Sequence, residues 1–322
     1  MLLARSILAA AVLMLSCAAQ AQVYPAKPVR LIVPYPAGGG TDFFARVVGA
    51  QLAIQFGQPV VVENKPGAAT IVGAEAAAKS PADGYTLLLG DTATFAVNPS
   101  LYKKLPYDPS KDLTPVTMTG RFALLLVVNP AKLKVRSVYD LVETAKQASG
   151  RIDYASPGPG SPHHLAMEMF RQRTGVEFTH VPYKGAAPAV QDLLAGQVSL
   201  MFLDLAAGAP QIKAGKLRAL AVASDKRIAA LPDLPTIAES GPKDFEAWAW
   251  QMLAVPENTP RDIVNRINAE YRKAIAMPEL RQKLIDAGID PLQSSPQDAS
   301  AYIRSEALKW AKVISEGRIR VE

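Results

Sequence analysis

The sequence predicts an α/β protein made of two doubly wound lobes joined by a hinge that the chain crosses twice. Three observations predict it. Short apolar, β-rich runs alternate with helical stretches, the pattern of βαβ units around a parallel sheet. The alternation occurs in two arrays, separated by a proline-punctuated stretch from Asn98-Pro99 to Asp108-Pro109 that reads as loop and short turns. The last part of the chain is helical, and the middle array already has helices of its own, so these C-terminal helices are expected to cover the first array. The predicted division is residues 22–120 with 246–322 in lobe 1 and residues 121–245 in lobe 2.

In the first array, Val29 to Tyr35, Pro59 to Asn64 and Tyr85 to Asp91 read as strands, with helical stretches at 42–56 and 70–80 between them. In the second, strands are expected at Phe122 to Val128, Ile152 to Ser156, Val176 to Val181, Val198 to Asp204 and Leu217 to Ala223. Helices fall between them at Ser137 to Ser149, Pro162 to Thr174, Ala187 to Ala195 and Pro210 to Ala214; Gly175 and Gly196 stop two of these. Trp248 to Val255 alternates enough to be one more strand, with Trp248 and Trp250 on one face as core. Beyond it, Thr259-Pro260 reads as an N-cap and first helical residue, followed by Ile263, Ile267, Tyr271 and Ala274 on one face. Ser295-Pro296-Gln297-Asp298 has capping-box spacing before Ile303, Ala307, Trp310 and Ile314.

The N-terminus reads as a secretory signal: Arg5, an apolar run from Ile7 to Leu15, and Ala19-Gln20-Ala21 as the cleavage site. Residues 1–21 are then removed and the mature chain starts at Gln22, with 322 − 21 = 301 residues, enough for two ordinary cores. A rival reading takes Leu15-Ser16-Cys17 as a lipoprotein box that leaves a lipid anchor on Cys17, the one cysteine. No later window offers the ~18 uninterrupted apolar residues of a membrane span, so the expected location is the periplasm. The formal charge of +6 becomes +5 without Arg5. Its lysines and arginines are scattered, and no basic run interleaved with aromatics speaks for nucleic acid.

The stretch from Leu31 to Asp42 organises the functional reading. A strand runs into Gly38-Gly39-Gly40, and Thr41 reads as the N-cap of the next helix. The unpaired N–H groups of a helix start, with its dipole, hold an anion without any basic side chain. Ser161 with Pro162 makes a second such start. Residues after the other strands, among them Thr92, Ser156, Gly160 and Asp204, are small or hydroxylated, or lie at helix starts, which suits binding by backbone amides and neutral donors. Tyr35 reads either as core or as an aromatic wall, and Asp42 either as a stabiliser of the helix start or as a ligand contact. His163 and His164 are adjacent, point in different directions on a helix, and cannot both ligate one metal from one face; a structural hydrogen bond is their default. No metal or cofactor is expected. The sequence has no G-x-S-x-G, H-E-x-x-H or P-loop pattern, and Ser161 with His164 is the one nucleophile–base arrangement to test.

Several motifs, in order along the mature chain, closely resemble the Bug proteins, the extracytoplasmic solute receptors of tripartite tricarboxylate transporters. They are Tyr24-Pro25-Ala26-Lys27-Pro28-Val29-Arg30 through Pro34, the Gly-Gly-Gly-Thr-Asp loop, Pro59 to Ala68, and Asp83-Gly84-Tyr85-Thr86-Leu87-Leu88. Further matches are Tyr154-Ala155-Ser156, Gly160-Ser161, His164-Leu165, His180 to Gly185, Gly215 to Val222, and Pro235-Thr236 with Glu239. The resemblance implies a periplasmic binding protein-like type II fold that closes on its ligand and delivers it to a membrane permease, without catalysis, as a monomer. It implies a carboxylate held by Gly39, Gly40 and Thr41 from one lobe and by Ser156, Gly160 and Ser161 from the other, with Tyr35, Asp42 and His164 in the same loops. Thr92 and Asp204 are assigned to the far end of the ligand. The ligand would be a di- or tricarboxylate, an aromatic acid or an acidic amino acid. Met201 to Gly208 is more apolar than is usual after that strand, which points to an apolar distal pocket and to aromatic or aliphatic acids over citrate. The alternative role is a periplasmic sensor on the same scaffold.

Overall fold

The computed structural model describes residues 24–321, so the signal-peptide and Cys17 readings lie outside the described residues. The first array consists of β1 (Val29–Val33), α1 (Gly40–Phe56), β2 (Val60–Asn64), α2 (Ile71–Ala78) and β3 (Thr86–Asp91), with β1 paired in parallel to both of the other strands. The stretch expected to be loop begins instead with a π-helical turn at Ala93–Val97 that runs into α3 (Asn98–Leu101). The second array follows β4 (Leu113–Val128) and α4 (Val138–Ala148): β5 (Asp153–Ser156), α5 (Pro162–Thr174), β6 (Thr179–Pro182), α6 (Ala186–Leu194), β7 (Leu200–Asp204), α7 (Leu205–Lys213) and β8 (Arg218–Val222). Here β5 pairs in parallel with β6 and β7. The chain ends with β9 (Trp248–Pro256), α8 (Arg261–Ile275), α9 (Pro278–Asp286), β10 (Ile289–Pro291) and α10 (Pro296–Glu316).

Two antiparallel strands join the parallel groups. The strand order is β2-β1-β3-β9-β4-β7-β5-β6, with β8 and β10 also on β4. The first part of β4, from Leu113 to Ala123, pairs with β9, and the second part, from Leu124 to Val128, pairs with β7 and β8. One continuous strand thus passes from one set of partners to the other. The sequence Phe122 to Val128 is apolar without alternation because both faces are covered: Leu124, Leu126 and Val128 enter the larger core, and Ala123, Leu125 and Val127 a smaller one behind it. The sequence reading found only this second part; Leu113 to Arg121 carries threonines, Pro115 and Gly120, residues poor in strand signal, and is held by its pairing with β9.

Local chemistry explains most element ends. Ser161 and Ser295 cap α5 and α10 as read, each accepting from the backbone N–H three residues on. Two expected caps differ. The N-cap of α1 is Gly39, and the Thr41 hydroxyl instead accepts from Gln251 Nε2. Pro260 stands at the cap position of α8, because Thr259 turns its hydroxyl to the Pro256 carbonyl at 2.6 Å. The helix expected at Pro210 to Ala214 begins at Leu205, with Pro210 inside it. The C-terminal helices do cover the first array, with α8 against α1, yet α10 also reaches α5, where Gln172 Nε2 donates to the Val313 carbonyl at 3.0 Å.

Candidate functional site

Four helix starts converge on one cavity at the strand ends. Gly39, Gly40 and Thr41 bring the start of α1, Pro162 and His163 that of α5, Gly185 to Ala187 that of α6, and Asp204 precedes α7. Tyr35 and Phe122 supply aromatic walls, and Trp250 borders the cavity with its ring buried against Phe95 and Tyr302. The space is about 630 Å³ with its open mouth, and no lysine or arginine is among the described residues that line it. Such a site offers an anion backbone N–H groups and aligned helix dipoles in place of a fixed cation.

Each side of the cavity has its own wiring. Gly40 lies so close to Phe122 that a Cβ there would sit 3.1 Å from the ring, so the ring must shift to admit a side chain at this turn. Asp42 sits in the same loop but does not line the cavity. Its carboxylate accepts from the Gly38 N–H at 3.0 Å, Arg46 Nε at 2.9 Å and Asn64 Nδ2 at 3.0 Å. Burial opposes ionisation, but these hydrogen bonds hold its carboxyl below the usual carboxylate range. It therefore fastens the glycine loop to α1. The Tyr35 hydroxyl donates to Asp91 Oδ2 at 2.6 Å, and Asp91 Oδ1 accepts from the Thr94 backbone and hydroxyl. Burial pushes the Asp91 carboxyl up, against those bonds, and pushes the Tyr35 phenol up as well.

The second loop is engaged with itself. Ser156 Oγ lies 2.6 Å from His180 Nε2 and is fully buried. The Gly160 N–H donates to His164 Nδ1 at 3.1 Å, and Ser161 Oγ donates to the Gly158 carbonyl while accepting from the His164 N–H. His164, His180 and Tyr154 form a stack with centroids 4.2 Å and 4.7 Å apart between neighbours. Burial, with His180 and Arg171 nearby, pushes His164 down to about 3, and burial with Arg171 pushes His180 down to about 4, so both are neutral near pH 7. The His164 ring is spent on Gly160, and only its backbone N–H meets Ser161, which leaves Ser161 without a base. Thr92 is also buried away from the cavity, its hydroxyl accepting from the Trp250 N–H at 3.2 Å. Ser161 lines a neighbouring opening, together with Lys184 and the loop Gly67 to Thr70.

Of the sequence-read residues, the fold thus brings Tyr35, Gly39, Gly40, Thr41 and Asp204 to the main cavity and keeps Asp42, Thr92, Ser156, Gly160, Ser161 and His164 off its wall. Sequence reasoning missed His163, Phe122, Gln251 and Trp250 as cavity residues. Phe122, Trp250 and Gln251 arrive on the long central strands, where nothing local marks them. Met201, Phe202 and Leu203 are core side chains, so the apolar walls come from Tyr35, Phe122 and prolines and not from that run. Among the described residues no cluster of three or more His, Cys, Asp or Glu is placed to hold a metal, and no helix is long and apolar enough to cross a membrane.

Comparison with known proteins agrees with this architecture. Residues 44–319 match the model of the tripartite tricarboxylate transporter family receptor. Protein BugT of Bordetella pertussis is 40% identical over 297 residues, 92% of this chain and 91% of BugT. Among solved structures, R. palustris Rpa4515 with adipate superposes with a TM-score of 0.89 at 38% identity, covering 92% of this chain and 99% of that one. MatC from Rhodopseudomonas palustris with bound malate gives 0.84 at 30% identity, with 90% and 100% covered. These relatives are solute receptors and not enzymes, with the fold of periplasmic binding proteins. The chain belongs to the receptor family of the tripartite tricarboxylate transporters.

Proposed function

We propose that this receptor captures a small carboxylated compound in the cavity at the α1 start and hands it to the membrane permease of a tripartite tricarboxylate-type transporter. The observation that carries the reading is the convergence of helix N-termini on a cavity without a fixed cation. The acids bound by Rpa4515 and MatC, adipate and malate, support the same ligand class. In this reading the free N–H groups of Gly40 and Thr41 hold the carboxylate, and Tyr35 and Phe122 flank the carbon chain. The lobes are residues 22–120 with 246–322 and residues 121–245. The change of partners within β4 at Ala123/Leu124, and the return of the chain at Trp248, support that division, with these two crossings as the hinge in this reading. Closure would then be a ligand-driven shift of population, with the closed form docking on the permease. The signal sequence supports export to the periplasm.

The test is a thermal-shift screen of residues 22–322 against mono-, di- and tricarboxylates, aromatic acids and acidic amino acids. Ligand at a hundredfold over Kd adds about 2.7 kcal/mol, several degrees for a chain of this size. A shift with one class of acid is expected. A flat response to every acid would overturn the reading.

A further inference from the structure

The cavity holds buried acceptors that a plain carboxylic acid leaves unused. Asp204 occupies the N-cap position of α7, where an aspartate ordinarily accepts from the first turn, yet its side chain makes no cap bond. Its carboxylate is turned into the cavity instead. Oδ2 lies 3.2 Å from His163 Nε2, and 3.6 Å from where a Cβ on Gly40 would stand. Oδ1 is buried with no hydrogen-bond partner in the chain, as is Oε1 of Gln251; the ring nitrogens of His163, one donor and one acceptor, also make no bond of hydrogen-bond geometry, the 3.2 Å approach to Asp204 included. Gln251 has already committed its amide nitrogen to Thr41, which fixes its carbonyl as the group that remains. These side chains are at least nine-tenths buried and all line the same cavity as the α1 start.

We propose, on the basis of the receptor reading above, that this site selects carboxylic acids bearing a hydrogen-bond donor, a hydroxyl or an ammonium, on the carbon next to the bound carboxylate or one further along. The nearness of Asp204 to Gly40 sets that spacing: a carboxylate held by the α1 amides places its neighbouring carbons in front of Asp204 and Gln251. A hydroxyl or ammonium there satisfies acceptors that an alkyl chain would bury unpaired. A second carboxylate in the same place would face Asp204 with like charge. Sites built to hydrogen-bond a substrate OH or NH reject the analogue lacking it far more strongly than apolar pockets reject a methylene.

The experiment is isothermal titration of the mature protein with matched acids on the skeleton that shifts it most: succinate, malate and aspartate, or adipate, 2-hydroxyadipate and 2-aminoadipate. The donor-bearing acid is expected to bind at least about tenfold tighter than its plain parent. Asp204→Leu should bring the members of a set within about threefold of one another. Asp204→Asn keeps an acceptor and removes the charge, so it should retain a preference for hydroxyl and lose one for ammonium. If Asp204→Leu fails to fold by circular dichroism, Gln251→Met carries the same comparison. Equal or tighter binding of the plain acids by the wild-type protein overturns this inference and leaves the receptor standing. Absence of binding by every acid overturns the receptor reading, and this one with it.

Discussion

The two loops that precede α1 and α5 look alike in sequence and behave differently in the fold. Both follow a strand, both are rich in glycine and small residues, and both open a helix. In the first, Asp42 takes the Gly38 N–H, Arg46 and Asn64, which ties the loop down from behind and leaves Gly39, Gly40 and Thr41 on the cavity wall. In the second, Ser156, Gly160, Ser161 and His164 satisfy one another or His180, and Pro157, Pro162 and His163 are the residues that reach the cavity. A helix start offers its N–H groups to a ligand only when the residues of its own loop do not take them. The cavity wall is therefore asymmetric: the first loop presents amides, while the second presents a side chain on a rigid base.

The largest effect that would break this comparison is at Gly40. Gly40→Val puts carbon against the Phe122 ring and into the proposed carboxylate site, and affinity for the best acid should fall by about a hundredfold or more by calorimetry, with the fold kept. A change below threefold would mean that the carboxylate is held elsewhere. In the second loop the equivalent damage should appear as stability. Gly160 has φ +75°, and a Cβ there would stand 2.5 Å from the Leu101 side chain. Gly160→Val is expected to cost about 2–4 kcal/mol, lowering the melting temperature by about 5 °C or more, with affinity nearly unchanged once folded. An unchanged melting temperature with lost affinity would reverse the roles of the loops.

A smaller effect sharpens the comparison through pH. Unfolded imidazoles take up protons near 6.5, whereas His180 and His164 in the stack resist them until about 4 and about 3. Between those values the unfolded state binds more protons, so stability is full above 6.5 and falls as pH drops toward 4. The melting temperature should follow that slope, and His180→Phe should flatten it while leaving ligand affinity at pH 7 within about threefold. An identical slope in the variant would show that the stack does not report on this loop.

The sequence was most legible where a structural decision is local. Ser161 with Pro162, Ser295 with Pro296, and the glycine after α5 each carry their own capping chemistry within a few residues, and the structure places them as read. The cap of α1 was misplaced because glycine at the cap leaves no side-chain signal and Thr41 resembles a cap better. His163 and His164 show a different limit. Neighbours on a helix differ by about 100° in direction, and which of them faces a cleft depends on how α5 packs.

By itself the sequence determined the two βα arrays, the glycine turn that opens a helix, the family and the return of the C-terminal helices, because periodicity, turn chemistry and motif order are properties of consecutive residues. Only the tertiary structure decided which polar groups stay free. Gln251 meets Thr41 across 210 positions, Thr92 meets Trp250 across 158, and Asp204 meets His163 across two elements. Such pairings consume some donors and acceptors and leave others facing the cavity. Their outcome follows from the docking of β4 and β9 between the arrays, which no local stretch of the chain encodes.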